Sequence, residues 1–282
     1  MAVLIDGKSL ATQMRWLIKQ GVYGYKQKYK REIGLAVVMA GDNPASQVYV
    51  RNKIKACEEV GIKSFSYTLP QNSAQKDVEE LVRALAEDNK IDGILVQLPL
   101  PAHLDVENIL KLIPTAKDVD GFSAENIGKL AMKEECLVAC TPNGIMKMLE
   151  HYNIDVAGKR AVVVGRSNIV GKPMAMLLLN ADATVIVCHS KTENLKAECL
   201  NADILIAAIG KSKFITADMI KNGAVVIDVG MNRDENGKLC GDVDFEAVKE
   251  KCSYITPVPG GVGPMTITML MYNTLQAAVF RR

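Results

Sequence analysis

The sequence predicts an α/β protein of two domains, each built on a parallel sheet covered by helices. Strand-like apolar runs alternate with helical periodicity before residue 140, and the same alternation returns from Arg160 onward. Parallel strands need long crossover connections, so this alternation is typical of parallel sheets. A chain of 282 residues, 49% of them hydrophobic, is long enough to build two such cores.

Predicted elements of the first half follow one another in regular order. Helical spacing of Leu10, Met14 and Leu17 predicts a first helix over residues 8–30. Asn43 as a cap and Pro44 at the first helical position predict a second helix that runs to about Gly61. The remaining predicted elements are strands at 33–39, 63–69 and 93–96 and a helix at 74–88.

The second half repeats the pattern with shorter strands. We expect strands at 161–164, 184–187, 204–207, 224–228 and 254–255. Thr141 and Pro142 predict the start of a helix that bridges the domains, and a final helix over residues 265–282 is expected to pack back on the first domain. The predicted domains are therefore residues 1–140 plus 265–282, and residues 141–264.

Composition excludes several classes of protein. A net charge of +2 gives no strong field, so we expect no nucleic-acid partner. The seven cysteines are odd in number and lack a C-x-x-C pair, and the three histidines are isolated from them, which predicts reduced thiols and no metal site. With neither a secretory signal nor an apolar run near ~20 residues, we expect a cytoplasmic protein without a membrane partner.

A turn of small residues follows the predicted strand at 161–164. Gly165 and Gly171 let backbone amides and a positive helix end approach a pyrophosphate, which larger side chains would block. The spacing departs from G-x-G-x-x-G, since Ser167 replaces the second glycine and Gly171 comes one residue late. This turn predicts a dinucleotide site in a Rossmann-type, doubly wound domain.

The next predicted strand leads into His189 and Ser190, where a dinucleotide fold selects its ribose. A carboxylate there would favour NAD and repel the 2′-phosphate of NADP, but neither Asp nor Glu is present. Arg166 in the turn and the Ser190 hydroxyl can hold that phosphate, so we predict a preference for NADP. In the alternative interpretation, Arg166 is a surface cation and Ser190 an ordinary loop residue.

Tyr49 and Lys53 lie four residues apart on the second predicted helix, beside the core-facing residues Val50, Ile54 and Cys57. A lysine at this margin can bury its stem and lose part of its hydration, which lowers the pKa of its amine. Such an amine can exchange protons near neutral pH. A surface lysine beside a packed tyrosine would show the same spacing.

Three further features favour a site at the carboxyl edges of the predicted sheets. Gln97 directly follows the strand at 93–96, Asp120 lies in a charged turn, and residues 257–264 form a loop of proline and glycine. We expect these to converge on a cleft between the domains. Taken singly, Gln97 could cap strand carbonyls, Asp120 could cap a helix that begins near Ser123, and the loop could be a linker.

Five blocks in order resemble the bifunctional methylenetetrahydrofolate dehydrogenase/methenyltetrahydrofolate cyclohydrolase family, and the resemblance spans nearly the whole chain. The blocks are residues 44–56 (PASQVYVRNKIKA), 97–101 (QLPLP), 117–121 (KDVDG), 165–173 (GRSNIVGKP) and 257–266 (PVPGGVGPMT). The resemblance implies NADP-linked oxidation of 5,10-methylene-tetrahydrofolate, hydrolysis of the methenyl product to 10-formyl-tetrahydrofolate, and a homodimer formed through the nucleotide domain.

The same resemblance implies roles for individual residues. Lys53 matches the catalytic lysine, Gln97 the residue that tunes it, Tyr49 the ring that stacks on the aminobenzoyl group, and Asp120 the carboxylate that holds the pterin. Further implied folate contacts are Leu98, Pro259, Gly260 and Gly261, and implied cofactor contacts are Gly165, Arg166, Ser167, Ile169, Ser190 and Met231. The alternatives are a monofunctional dehydrogenase of this family, a shikimate dehydrogenase-like NADP enzyme, and a non-enzymatic NADP-binding protein.

Overall fold

The computed structural model describes residues 2–281, so Met1 and Arg282, the ends of the predicted domains, lie outside the described part. The chain forms two compact units. The first comprises Met1–Ala11, Leu130–Glu134 and Thr141–Thr266, and the second comprises Thr12–Lys129, Glu135–Cys140 and Ile267–Arg282. We name them the nucleotide unit and the lysine unit, after the predicted site residues that each contains.

The lysine unit is built on a three-stranded parallel sheet. Its strands are β2 (Gly34–Ala40), β3 (Lys63–Leu69) and β4 (Gly93–Val96), in the spatial order β3-β2-β4. The central strand β2 is buried along its whole length, as expected where helices cover both faces. The helices in this part of the chain are α1 (Gly7–Tyr29), α2 (Pro44–Val60), α3 (Gln75–Glu87), α4 (Val106–Lys111) and α5 (Ala124–Ala131).

The nucleotide unit is built on a six-stranded parallel sheet in the order β1-β11-β8-β7-β5-β6. Its strands are β1 (Val3–Leu4), β5 (Arg160–Val164), β6 (Thr184–Cys188), β7 (Ile204–Ala207), β8 (Val225–Asp228) and β11 (Tyr254–Ile255), and a two-stranded antiparallel sheet joins β9 (Asn232–Arg233) to β10 (Leu239–Cys240). The helices that follow β4 and α5 in the chain are α6 (Cys140–His151), α7 (Gly171–Asn180), α8 (Leu195–Leu200), α9 (Phe245–Val248) and α10 (Val262–Phe280).

Each unit has its own apolar core. Ala36, Val38, Ile94 and Val96 from the sheet pack with Val78, Val82 and Leu85 of α3 in the lysine unit. Val162, Leu205 and Val226, from three neighbouring strands, belong to the core cluster of the nucleotide unit. Within residues 2–281, no helix combines the length and apolar character needed to cross a membrane.

Most predicted elements agree with the observed ones to within one or two residues, and the two-domain α/β class is confirmed. The clearest boundary difference is α10, which begins at Val262 and so takes the last part of the predicted loop at 257–264 into the helix. Strand β1 is absent from the sequence prediction, and it joins the sheet of the nucleotide unit rather than the sheet of the lysine unit. All seven cysteines have free thiols in the structure.

Candidate active site

The lysine site lies at the carboxyl edge of the β3-β2-β4 sheet. Three residues separate the end of β2 from the start of α2. The first turn of α2 is fixed by Asn43, whose side-chain oxygen accepts a hydrogen bond from the Ser46 amide at 3.1 Å. The helix therefore carries Lys53 back along the sheet, where its Nζ donates to Gln97 Oε1 at 2.9 Å. Gln97 directly follows β4, so a helix and a strand of the lysine unit bring these two side chains together.

Gln97 is oriented by a second hydrogen bond. Its Nε2 donates to the carbonyl oxygen of Leu98 at 2.7 Å, which leaves Oε1 to face the amine. The backbone amide of Gln97 donates a hydrogen bond to the carbonyl of Val38 in β2 at 2.8 Å. The lysine amine therefore meets an acceptor that is fixed at both its backbone and its side chain.

Burial sets the electrostatics around Lys53. Desolvation lowers the pKa of Lys53 below its ordinary value, an effect partly offset by the nearby Asp120 carboxylate. Burial raises the pKa of Asp120 to about 6, against the opposing effect of Lys53. Burial also keeps the neighbouring Cys140 thiol neutral by raising its pKa well above the usual range. A lysine with a lowered pKa beside a carboxyl group with a raised one is an arrangement suited to proton exchange.

The turn that carries Asp120 is held by side chains on both sides. Asp118 accepts hydrogen bonds from the Gly121 amide at 3.1 Å, the Ser123 amide at 2.7 Å and Asn126 Nδ2 at 3.0 Å. The start of α5 is capped by Ser123, whose Oγ accepts the Asn126 amide at 3.2 Å, and Asp118 fixes the turn before it. Neither task falls to Asp120, which leaves its carboxylate available to the lysine.

Asn273 in α10 supports the same turn from the opposite side. Its buried Nδ2 donates to the carbonyls of Val119 and Val138, each at 2.8 Å. Gly121 has a φ of +72° and its Cα faces the backbone at Val138, so a larger residue would be both strained and obstructed there.

Tyr49 lies one helical turn before Lys53 and is 37% exposed. Partial desolvation raises the pKa of its phenol, so the ring is neutral at physiological pH. An exposed aromatic ring next to a desolvated amine offers a surface on which a flat ligand can stack. Leu98 is partly buried beside Gln97, and its peptide bond to Pro99 is cis.

The glycine turn of the nucleotide unit joins β5 to α7. Ser167 Oγ accepts hydrogen bonds from the amides of Val170 at 3.2 Å and Gly171 at 3.4 Å. A Cβ at Gly165, whose φ is +126°, would collide with the Ala208 carbonyl, and one at Gly171 would collide with the Gly165 carbonyl. The two glycines are therefore required by the tight turn, while Arg166, Ser167 and Ile169 on its outer side are exposed.

The remaining predicted cofactor residues also follow strands of this sheet. Ser190 is exposed in a turn after β6, where the His189 amide donates to Thr192 Oγ1 at 2.8 Å. Met231 is 48% exposed after β8, and a Cβ on Gly263 would lie 3.3 Å from its Cε. Accessible backbone at a glycine turn and an exposed Arg166 fit a phosphorylated dinucleotide.

The loop before α10 belongs to the nucleotide unit as well. The Gly261 amide donates to the Pro257 carbonyl at 2.8 Å, and the Gly260 carbonyl accepts from the Lys8 amide at 2.9 Å. The Val258–Pro259 peptide is cis, and Pro259 is exposed. The predicted folate residues Pro259, Gly260 and Gly261 therefore lie in a closed turn of backbone in this unit, whereas Tyr49, Lys53, Gln97, Leu98 and Asp120 lie in the lysine unit.

Comparison with known proteins decides the family. Residues 5–120 match the catalytic domain of tetrahydrofolate dehydrogenase/cyclohydrolase, and residues 139–282 match the NAD(P)-binding domain of the same proteins. The chain belongs to the tetrahydrofolate dehydrogenase/cyclohydrolase family. A bifunctional protein FolD from Polaromonas naphthalenivorans is 57% identical over 98% of both chains.

Solved structures of this family agree with the fold in detail. The FolD methylenetetrahydrofolate dehydrogenase/cyclohydrolase of Campylobacter jejuni has a TM-score of 0.97 and 51% identity over 100% of both chains. The FolD of Trypanosoma brucei, solved with NADP cofactor and an inhibitor, has a TM-score of 0.95 and 39% identity over 99% of this chain and 98% of its own. The family predicted from the sequence is therefore confirmed.

The sequence analysis did not identify several residues that support the turn beside Lys53. Asp118 stands two residues before Asp120, and the motif alone does not say which carboxylate binds backbone amides. Asn126 binds the Asp118 carboxylate eight residues earlier in the chain. Asn273 binds the Val119 carbonyl 154 residues away. The amide side chain of Asn273 in the largely apolar α10 was the available signal.

Proposed function

We propose that this chain oxidises 5,10-methylene-tetrahydrofolate to 5,10-methenyl-tetrahydrofolate with NADP and hydrolyses that product to 10-formyl-tetrahydrofolate. Membership in the family supports both activities. The observation that carries the proposal is the desolvated Lys53 amine, hydrogen-bonded to Gln97 at 2.9 Å and influenced by Asp120. A site with that composition suits proton transfer during hydrolysis of a cationic carbon.

In the hydrolytic step, Lys53 handles the protons. Water adds to the methenyl carbon as the neutral Nζ accepts one proton from it. The bond from that carbon to N5 of the folate then breaks as the new hydroxyl group loses its proton to solvent and becomes the formyl oxygen. The Lys53 ammonium delivers its proton to N5, and the formyl group stays on N10. One proton is released overall, because a cation and water give a neutral product. Gln97 holds the amine in place for both transfers.

The other residues of the lysine unit bind the folate in this proposal. Tyr49 stacks on the aminobenzoyl ring, and Asp120 accepts hydrogen bonds from the pterin. Leu98 contributes apolar contact beside Gln97, and the backbone at Pro259, Gly260 and Gly261 lines the pterin side.

In the oxidation step, bound NADP accepts a hydride from the methylene carbon, and no protein base is needed for that transfer. The task of this chain is orientation. We assign the pyrophosphate to the turn at Gly165, Ser167 and Ile169, and the 2′-phosphate to Arg166 and Ser190. Met231 then meets the nicotinamide half through its backbone.

The test is a paired assay on the wild type and Lys53→Met. Absorbance of methenyl-tetrahydrofolate reports its formation from the methylene compound, with NADP or with NAD, and its decay by hydrolysis. We expect wild type to catalyse both steps with preference for NADP, and Lys53→Met to lose hydrolysis above the spontaneous rate. Lys55→Met, on the exposed side of the same helix, is the matched control and should keep both activities.

Each contrary outcome of this assay has a clear meaning. Oxidation without hydrolysis in the wild type would show that the chain is a monofunctional dehydrogenase. Absence of both activities, with NADP still bound, would leave a binding protein. Hydrolysis at wild-type rate in Lys53→Met would remove the lysine from the proposed role.

We further propose that the chain forms a homodimer through the nucleotide unit and acts in the cytoplasm. Strand β6 lies at one edge of the six-stranded sheet, and Val187 on it is 38% exposed, which supports a second copy at this edge. Light scattering that gives the mass of one chain would contradict the dimer.

We also propose that the folate-binding domain covers residues 1–140 plus 265–282, and that the NADP-binding domain covers residues 141–264.

A further inference from the structure

Two buried carboxylates, Asp242 and Asp228, hold backbone segments at the carboxyl edge of the six-stranded sheet, near the point where the strand order reverses. After β5 the chain forms β6 on one side, and then returns to form β7 on the other side of β5. Ligands of open α/β sheets bind at the carboxyl edge beside such a switch point. The segments that flank it are the glycine turn at 165–170 and residues 208–211 after β7, which approach so closely that Gly165 has no room for a Cβ beside the Ala208 carbonyl.

Asp242 holds the second of these segments. Its Oδ2 accepts the amides of Ile209 at 2.6 Å and Gly210 at 3.0 Å, and its Oδ1 accepts the Lys211 amide at 2.9 Å. Asn232 Nδ2 also donates to Oδ1, at 2.8 Å. The Asp242 side chain is fully buried, and these four donors are neutral groups.

Asp228 continues the same arrangement at the end of β8. Its carboxylate accepts the amides of Gly230 at 2.9 Å, Asp242 at 2.8 Å and Val243 at 2.9 Å. A Cβ on Gly230 would collide with the Asp242 side chain, and one on Gly241 would collide with the Asp228 carboxylate. The residues between Asp228 and Asn232, which include the exposed Met231, are therefore held at both ends by buried carboxylates.

Resting on the proposed function, we propose that Asp242 is a positioning residue for NADP. Its carboxylate fixes residues 209–211 opposite the glycine turn and, through Asn232, fixes the segment that presents Met231. Three consecutive backbone amides bound to one buried carboxylate define the conformation of a segment far more narrowly than packing alone. The binding surface for the nicotinamide half of the cofactor is then formed before the cofactor arrives.

The variant that tests this proposal is Asp242→Asn, which keeps the size of the side chain and turns one of its two acceptor oxygens into a donor. We expect the Kd and KM for NADP to rise at least tenfold, while hydrolysis of methenyl-tetrahydrofolate without NADP stays within twofold of wild type. The matched control is Asp244→Asn, two residues further on, where the aspartate makes no capping hydrogen bond to its helix. It should match wild type in both measurements.

A second variant keeps the test decisive if Asp242→Asn does not fold. Asn232→Ala removes one donor and leaves the three amides in place, so NADP should bind several-fold more weakly in a protein that still folds. NADP binding equal to wild type in the folded variant, or binding and hydrolysis that fall in equal proportion, would overturn the positioning role. A wild type that binds no NADP would instead overturn the proposed function itself.

Discussion

Gln97→Glu places a carboxylate where the structure has a neutral acceptor, 2.9 Å from Lys53 Nζ. Coulomb's law at that distance gives about 6 kcal/mol at an effective dielectric constant of about 20. Desolvation of the new carboxylate offsets several kcal/mol of this attraction. A net stabilisation of the ammonium form by about 1.4–4 kcal/mol lowers the fraction of neutral amine about 10- to 1000-fold.

Hydrolysis should therefore fall by that factor near neutral pH and recover as the pH rises, because only the neutral amine accepts a proton from water. The assay is the decay of methenyl-tetrahydrofolate absorbance across pH, with the spontaneous rate subtracted. Gln97→Leu is the matched comparison, since it removes the acceptor without adding charge and should move the inflection to lower pH. An inflection for Gln97→Glu at or below that of wild type would refute the reasoning.

Arg166, Asn273 and Asp228 each have a role that a single substitution can test. Arg166→Ala should lower the NADP-to-NAD ratio of kcat/KM at least about tenfold, because a charged hydrogen bond to the 2′-phosphate is lost; an unchanged ratio in dehydrogenase kinetics would contradict the assignment. Asn273→Leu should lower the free energy of unfolding by about 2–4 kcal/mol in urea titrations, since the carbonyls of Val119 and Val138 lose their buried donor; a loss below about 0.5 kcal/mol would show that these bonds contribute little. Burial raises the pKa of Asp228 to about 6, above its value in the unfolded chain, so the folded state binds this proton more tightly and loses stability as the pH rises from about 4 to 6. Asp228→Asn should reduce this pH-dependent change in the free energy of unfolding by about 1–3 kcal/mol. An unfolding free energy that depends on pH as in the wild type would contradict the raised pKa of Asp228.

Periodicity and turn chemistry were sufficient to predict the strands and helices that form the two sheets. The fully buried β2 shows why, since a strand covered on both faces is a continuous apolar run between polar boundaries. Strand β1 could not be predicted in this way, because its two residues have exposed side chains and it is defined by pairing with β11, some 250 residues away (Val3 with Tyr254). Helices α4 and α5 are short and lie in a charged segment without a long periodic pattern.

The candidate site was predictable where it depends on local spacing. Tyr49 and Lys53 share one helix, and Gln97 follows a strand that the sequence predicts well. The supporting residues were not predictable, because their partners are backbone groups distant in the chain: Asp242 binds amides 31 to 33 residues earlier, and Asn273 binds a carbonyl 154 residues away. No sequence period records such contacts.

The central claim is that the Lys53 amine loses its proton more readily than an ordinary lysine and that hydrolysis depends on this loss. Nuclear magnetic resonance titration of the Lys53 side chain, assigned by comparison with Lys53→Met, measures that property directly. We expect Lys53 to titrate clearly below about 10.4, the ordinary lysine value, and the pH dependence of hydrolysis to follow the same curve. A Lys53 signal that titrates at the ordinary value, or a hydrolysis rate that does not change as Lys53 titrates, would contradict the account.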